Sequence, residues 1–84
     1  MRSKLRFYSK PDCCLCDAAL DPVKRVAREA RLEIVKVNIA DDPELLERHG
    51  QRIPVVEVDG DVIAWGRISE RALRLALRKK GFSV

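Results

Sequence analysis

Residues 8–16 read Tyr8-Ser9-Lys10-Pro11-Asp12-Cys13-Cys14-Leu15-Cys16, and the fold turns on what flanks them. On the N-terminal side, Leu5 and Phe7 alternate with Lys4, Arg6 and Tyr8, the period of two that marks a strand. On the C-terminal side, Leu15, Ala18, Ala19, Val23, Val26, Ala27 and Ala30 recur at helical spacing from Cys14 to about Arg31. Ser9, Lys10, Pro11 and Asp12 break regular structure between the two. Pro22 lies inside the helical run and lacks one ladder donor, which predicts either a bend or two shorter helices meeting there.

Working outward, Ile34, Val35, Val37 and Ile39 predict a buried second strand over residues 33–38. Asp42 is placed to cap a short helix, with Pro43 at its first position and Glu44 and Glu47 near its N-terminus. That helix is expected to end near His49 and Gly50, with the glycine as a left-handed stop and the histidine on the surface. Asp59-Gly60 joins Val55–Val58 to Asp61–Trp65 as a hairpin, because both turn positions call for positive φ. Ser69 caps a last helix with Ala72, Leu73, Ala76 and Leu77 on one face, and Arg78, Lys79, Lys80 and Gly81 close it. The order is β-α-β-α-β-β-α. A right-handed crossover makes the first two strands parallel and the hairpin adds an antiparallel pair. The expected architecture is α/β, a four-stranded mixed sheet flanked by three helices, in a single domain over residues 1–84.

Composition narrows the function classes. The 84 residues are 46% hydrophobic and 36% charged, which excludes a disordered chain. The net charge of +4 comes from interspersed basic and acidic residues. No basic run is interleaved with stacking aromatics, so no nucleic-acid partner is expected. No stretch approaches the roughly 20 apolar residues of a membrane span, and Met1–Lys10 has no continuous hydrophobic run of a secretory leader. All three cysteines, Cys13, Cys14 and Cys16, fall within four positions. A disulfide framework needs cysteines spread along the chain to close long loops. Clustering instead marks reactive thiols and favours a reducing, cytoplasmic setting. A monomer is expected.

Position assigns roles within the cluster. Two residues between Cys13 and Cys16 let one helical turn bring both sulfurs within bonding reach, which neither other pair matches. Cys13 lies at or just before the helix N-terminus, where free N–H groups and the positive end of the dipole stabilise a thiolate. Cys13 is therefore the expected nucleophile and Cys16 the resolving thiol. Lys10 adds positive potential nearby. A zinc site needs four ligands, and beside these crowded cysteines the chain offers only His49 and carboxylates. Cys14 is read as a tolerated residue within the Cys-x-x-Cys loop.

The segment Tyr8–Cys16 resembles the active-site stretch of glutaredoxins, in which a strand ends in an aromatic-Ser/Thr-Lys run before Cys-x-x-Cys. Gln51-Arg52-Ile53-Pro54-Val55-Val56 is similar to the second signature of that family, a Thr-Val-Pro-like segment. The order of elements is also that of the minimal thioredoxin fold, so the resemblance covers essentially the whole chain. It implies a thiol–disulfide oxidoreductase with a redox-active Cys13–Cys16 disulfide and a cis peptide bond before Pro54. It also implies substrate-binding roles for Lys10, Leu15, Arg52, Ile53, Pro54 and Gly66. The partners it implies are protein disulfides or glutathione mixed disulfides, with no bound cofactor or metal. Glutathione or a thioredoxin-reductase system, whose reductase is a flavoprotein, would act as external reductant.

Two departures bear on the reductant. Glutaredoxins usually carry Pro-Tyr within Cys-x-x-Cys, where this chain has Cys14-Leu15. They also carry a Gly-Gly segment and an acidic residue before the last helix, where this chain has Trp65-Gly66-Arg67-Ile68-Ser69. Gly66 and the amides near Ser69 are the places left for a carboxylate. The Trp-Gly segment resembles that of glutaredoxin-like electron donors reduced by thioredoxin reductase, while Trp65 also suits a plain cover for the sheet edge. Two other classes compete with redox exchange. One is an iron–sulfur cluster carrier using Cys13, and the other a non-catalytic interaction module.

Overall fold

The computed structural model describes residues 3–84, so the reading of Met1–Lys10 as free of a leader falls partly outside it. Strand β1 spans Lys4–Ser9, helix α1 Cys14–Glu29, strand β2 Glu33–Asn38 and helix α2 Pro43–His49. Strands β3 (Val55–Val58) and β4 (Asp61–Trp65) follow, and helix α3 (Glu70–Lys79) ends the order. The sheet runs β2-β1-β3-β4, with β1 parallel to β2 and the other pairs antiparallel. This is the thioredoxin-like α/β arrangement expected from the sequence.

Strand alternation divides the interior in two. Leu5 and Phe7 of β1, with Val56 and Val58 of β3, point to the side where α1 supplies Ala19, Val23, Val26 and Ala27 and α3 supplies Leu73 and Leu77. Tyr8 and Val55 point the other way, onto Ile39 and onto Leu45 and Leu46 of α2. Helices thus cover both faces. The α1/α3 side holds the larger core, and at about 25 cal/mol per Å² of apolar area removed from water it supplies most of the folding drive. Two arginines join its helices at the surface: Arg25 pairs with Glu70, and Arg74 with both Glu29 and Glu70.

The helix ends follow the sequence in part. Asp42 Oδ1 accepts from the amides of Glu44 and Leu45, and Ser69 Oγ from that of Ala72. At the end of α3 the Phe82 amide donates to Leu77 and that of Gly81 to Arg78, with Gly81 at φ 99°. That is a Schellman closure with glycine where the left-handed residue belongs. α1 closes the same way, Leu32 to Ala27 and Arg31 to Arg28, but the left-handed position is Arg31 at φ 58°. The helix therefore stops at Glu29, two residues before the expected end.

Three expectations need correction. α1 runs unbroken through Pro22, which removes the reading as two short helices. The bond that Pro22 lacks is outweighed by a face that docks Ala19, Val23, Val26 and Ala27 into the core. Gly50 is right-handed, at φ −53°. Its need for glycine is space, since a Cβ there would collide with the Leu46 carbonyl oxygen. His49 is buried, 1% exposed, and not a surface residue. It lies one turn after Leu45 on the only face that this short helix turns inward, so position overrode polarity.

Candidate active site

The C-terminal end of β1 delivers the chain to a turn that closes on Asp12 at φ 60°, a left-handed conformation that Asp tolerates better than most residues. Cys13 follows as the N-cap of α1, in extended backbone conformation. Its Sγ accepts the Cys16 amide at 3.2 Å, and its carbonyl accepts that of Asp17 at 3.0 Å. The sulfur occupies the place that a serine or aspartate oxygen takes in an ordinary cap, where the first-turn amides lack intrahelical partners. Positive charge from the helix dipole converges on the same point.

The three thiols are free and differ in environment: Cys13 is half-buried, Cys14 exposed and Cys16 buried at 4% exposure. Burial pushes the Cys16 thiol up to about 12, and its hydrogen bond with Cys13 adds to the effect. The Lys10 backbone amide pulls the other way. Cys16 thus keeps its proton across the neutral range. What Lys10 gives Cys16 is its main chain. The side chain is exposed.

Across the sheet, Val55 at the start of β3 pairs with Tyr8 near the end of β1 and with Trp65 at the end of β4. This register puts the segment before β3 and the end of β4 at the same end of the sheet as the cysteines. The Ile53–Pro54 bond is cis, as the resemblance implied, and Pro54 is fully buried. Ile53 packs against the α2-side core. The Gly66 amide donates to the carbonyls of Arg52 at 3.0 Å and Pro54 at 2.8 Å, so it is already engaged where the sequence left it for a carboxylate. Those bonds tie Arg52, Pro54 and Gly66 into one unit, and Gly66 takes φ 71° to make them. The Arg52 guanidinium lies over the Trp65 ring, 5.8 Å from its centroid. Trp65 is 55% exposed and Leu15, inside Cys-x-x-Cys, 43%.

Behind this end lies a polar cluster that the sequence does not announce. Tyr8 and His49 stack with ring centroids 4.5 Å apart. The Tyr8 hydroxyl donates to Glu57 at 3.1 Å, while both His49 ring nitrogens are buried without a hydrogen-bond partner. Among the described residues no three His, Cys, Asp or Glu side chains form a group able to hold a metal ion, and no helix is long and apolar enough to cross a membrane.

Comparison with known proteins agrees with this geometry. The crystal structure of the protein XcR50 from X. campestris superposes with a TM-score of 0.74 at 30% identity, covering 89% of this chain and 96% of that one. Ne2328 from Nitrosomonas europaea matches at TM-score 0.74 and 17% identity, over 87% of this chain and 88% of its own. Thioredoxin 1 from Thermosipho africanus matches at TM-score 0.68 and 15% identity over 92% of each chain. The last two show the fold alone. No curated protein matches the chain. The model of the glutaredoxin-like domain (DUF836) matches residues 4–78. With a cysteine pair at the start of the first helix and a cis proline at the head of the third strand, the chain has a thioredoxin-like fold and belongs to this glutaredoxin-like family.

Proposed function

We propose that the protein is a thiol–disulfide oxidoreductase in which Cys13 attacks a protein disulfide or a glutathione mixed disulfide and Cys16 resolves the product. The observation that carries this reading is the contrast within the pair. The half-buried sulfur caps a helix and receives an N–H, while its buried partner retains a proton. As a thiolate, Cys13 bonds to one sulfur of the substrate and expels the other as thiolate, leaving a mixed disulfide. Cys16 then loses its proton and attacks Cys13 Sγ, which releases the remaining substrate half. Two cysteine thiols have become one disulfide and the substrate disulfide has become two thiols, so electrons balance. Formation of the mixed disulfide removes the anionic acceptor beside Cys16, and with it part of what held the proton there.

Return to the dithiol takes two electrons from an external reductant, either two glutathione molecules or a thioredoxin-reductase system. Recognition falls to Lys10, Leu15, Arg52 and Ile53 around the site, with Pro54 and Gly66 holding that edge in place from behind and with no bound cofactor. A cytoplasmic monomer suits this chemistry. The decisive experiment follows hydroxyethyl disulfide reduction by each cysteine variant. Cys13→Ser should be inactive, Cys14→Ser close to wild type, and Cys16→Ser should accumulate a mixed disulfide visible by mass spectrometry. Turnover by Cys13→Ser would overturn the mechanism. The electron donor is read from the rates at which glutathione and thioredoxin reductase with NADPH reduce the oxidised protein.

A further inference from the structure

Trp65 stands out among the exposed side chains. Large aromatics left half in water commonly mark contact surfaces, and this one lies on an edge strand at the cysteine end of the sheet. Val62, on the same strand, is also exposed. Pairing of β4 to Val55 holds the Trp65 backbone, and the Arg52 guanidinium lies over the ring. A guanidinium held over a ring by cation–π attraction keeps its N–H groups for an acceptor, and among the described residues no ion pair engages those of Arg52.

Charge at this end of the molecule is asymmetric. Arg52, and Arg67 two residues beyond Trp65, flank the aromatic ring without an acidic neighbour in sequence, whereas Asp12 and Asp17 flank the cysteines together with Lys10. Two backbone donors near the ring are already engaged. The Gly66 amide serves Arg52 and Pro54, and the Ala72 amide serves Ser69. A protein segment arriving at the cysteines finds beside them an exposed aromatic surface with a cation above it. We infer that Arg52 and Trp65 form a docking platform for protein disulfides that carry an apolar residue and an acidic residue beside the reacting cysteine. The apolar side chain packs on Trp65 and the carboxylate meets Arg52. This rests on the redox reading above and specifies its substrate.

The test uses fully reduced protein in single turnover against oxidised dimers of blocked tripeptides. The sequences Glu-Leu-Cys, Lys-Leu-Cys and Glu-Gly-Cys are used, each also in reversed order, with hydroxyethyl disulfide as an uncharged reference. The wild type should favour the Glu-Leu peptide over the Lys-Leu peptide by about threefold to fivefold, the size of one exposed ion pair, and less at high salt. Arg52→Glu should invert that ratio, and Trp65→Ala should remove the advantage of Leu over Gly, with both folds checked by circular dichroism. Equal wild-type rates for all peptides, with hydroxyethyl disulfide still reduced, overturn the platform alone. So does an Arg52→Glu ratio that stays uninverted. Failure to reduce the reference disulfide as well as the peptides overturns the redox reading beneath it.

Discussion

The Cys16 amide donates to Cys13 Sγ at 3.2 Å, so the buried member of the pair holds the half-buried member through its main chain while keeping its own proton. The two thiols should consequently differ in reactivity. Iodoacetamide at neutral pH should label Cys13 and the exposed Cys14 at least tenfold faster than Cys16 (about 1.4 kcal/mol in barrier), as read by peptide mass mapping. Comparable labelling of Cys16 in folded protein would contradict the assignment.

Cys16 also makes a prediction at high pH. Its folded value of about 12 lies above the ordinary thiol value of 9.0. The unfolded chain loses this proton first, so the contribution is complete below pH 9 and is lost as pH climbs toward 12. Cys16→Ala should flatten the fall in urea-unfolding stability over that window. An unchanged slope would show that the thiol ionises freely in the native state.

His49 acts at the opposite end of the scale. Burial, reinforced by the nearby Arg52 and Arg48 cations and opposed by Glu57, holds it below the usual 6.5. The unfolded chain therefore takes up a proton that the native state refuses. Stability should be complete above pH 6.5 and decline below it. His49→Leu also removes two buried ring nitrogens without partners, so it should flatten this decline and add about 1 kcal/mol at neutral pH. Urea unfolding of both proteins between pH 7 and pH 5 checks this (both values approximate), and parallel curves would rule it out.

The two Schellman closures differ in their left-handed residue, Arg31 in one and Gly81 in the other. A side chain in that conformation costs about 1–2 kcal/mol, part of which glycine returns through its freer unfolded chain. Arg31→Gly should raise stability by about 0.5–1 kcal/mol, a few degrees in melting temperature for a domain of this size. Gly81→Ala should lower it by about 1 kcal/mol. A destabilised Arg31→Gly would mean that the arginine makes contacts worth more than its strain.

All seven elements were legible in the sequence because each carried a local signal: alternation in β1, Asp59-Gly60 in the hairpin, and Asp42 and Ser69 as caps. The placing of Cys13 and Cys16 at the start of α1 was legible too, since their spacing and the helix start are both local. What escaped depended on distant contacts. His49 is buried because α2 has one inward face and Tyr8 lies beneath it. Gly66 gives its amide to Arg52 and Pro54 because β4 ends beside the cis proline. Neither fact is written in the neighbouring residues. Gly50 and Arg31 show a milder version, in which residue type suggested a left-handed stop at the wrong one of two helix ends.

Because Cys13 Sγ is the cap of α1 and, in the proposed reaction, also the atom that attacks, chemistry at that sulfur would be felt in the first turn of the helix. A thiolate accepts the Cys16 N–H more strongly than a sulfur bonded to another sulfur. Each catalytic cycle should therefore tighten and release the first turn. Solvent exchange of the Cys16 amide should be slow in the dithiol and faster once the sulfur is occupied, which would make that single proton a reporter of how far the reaction has run.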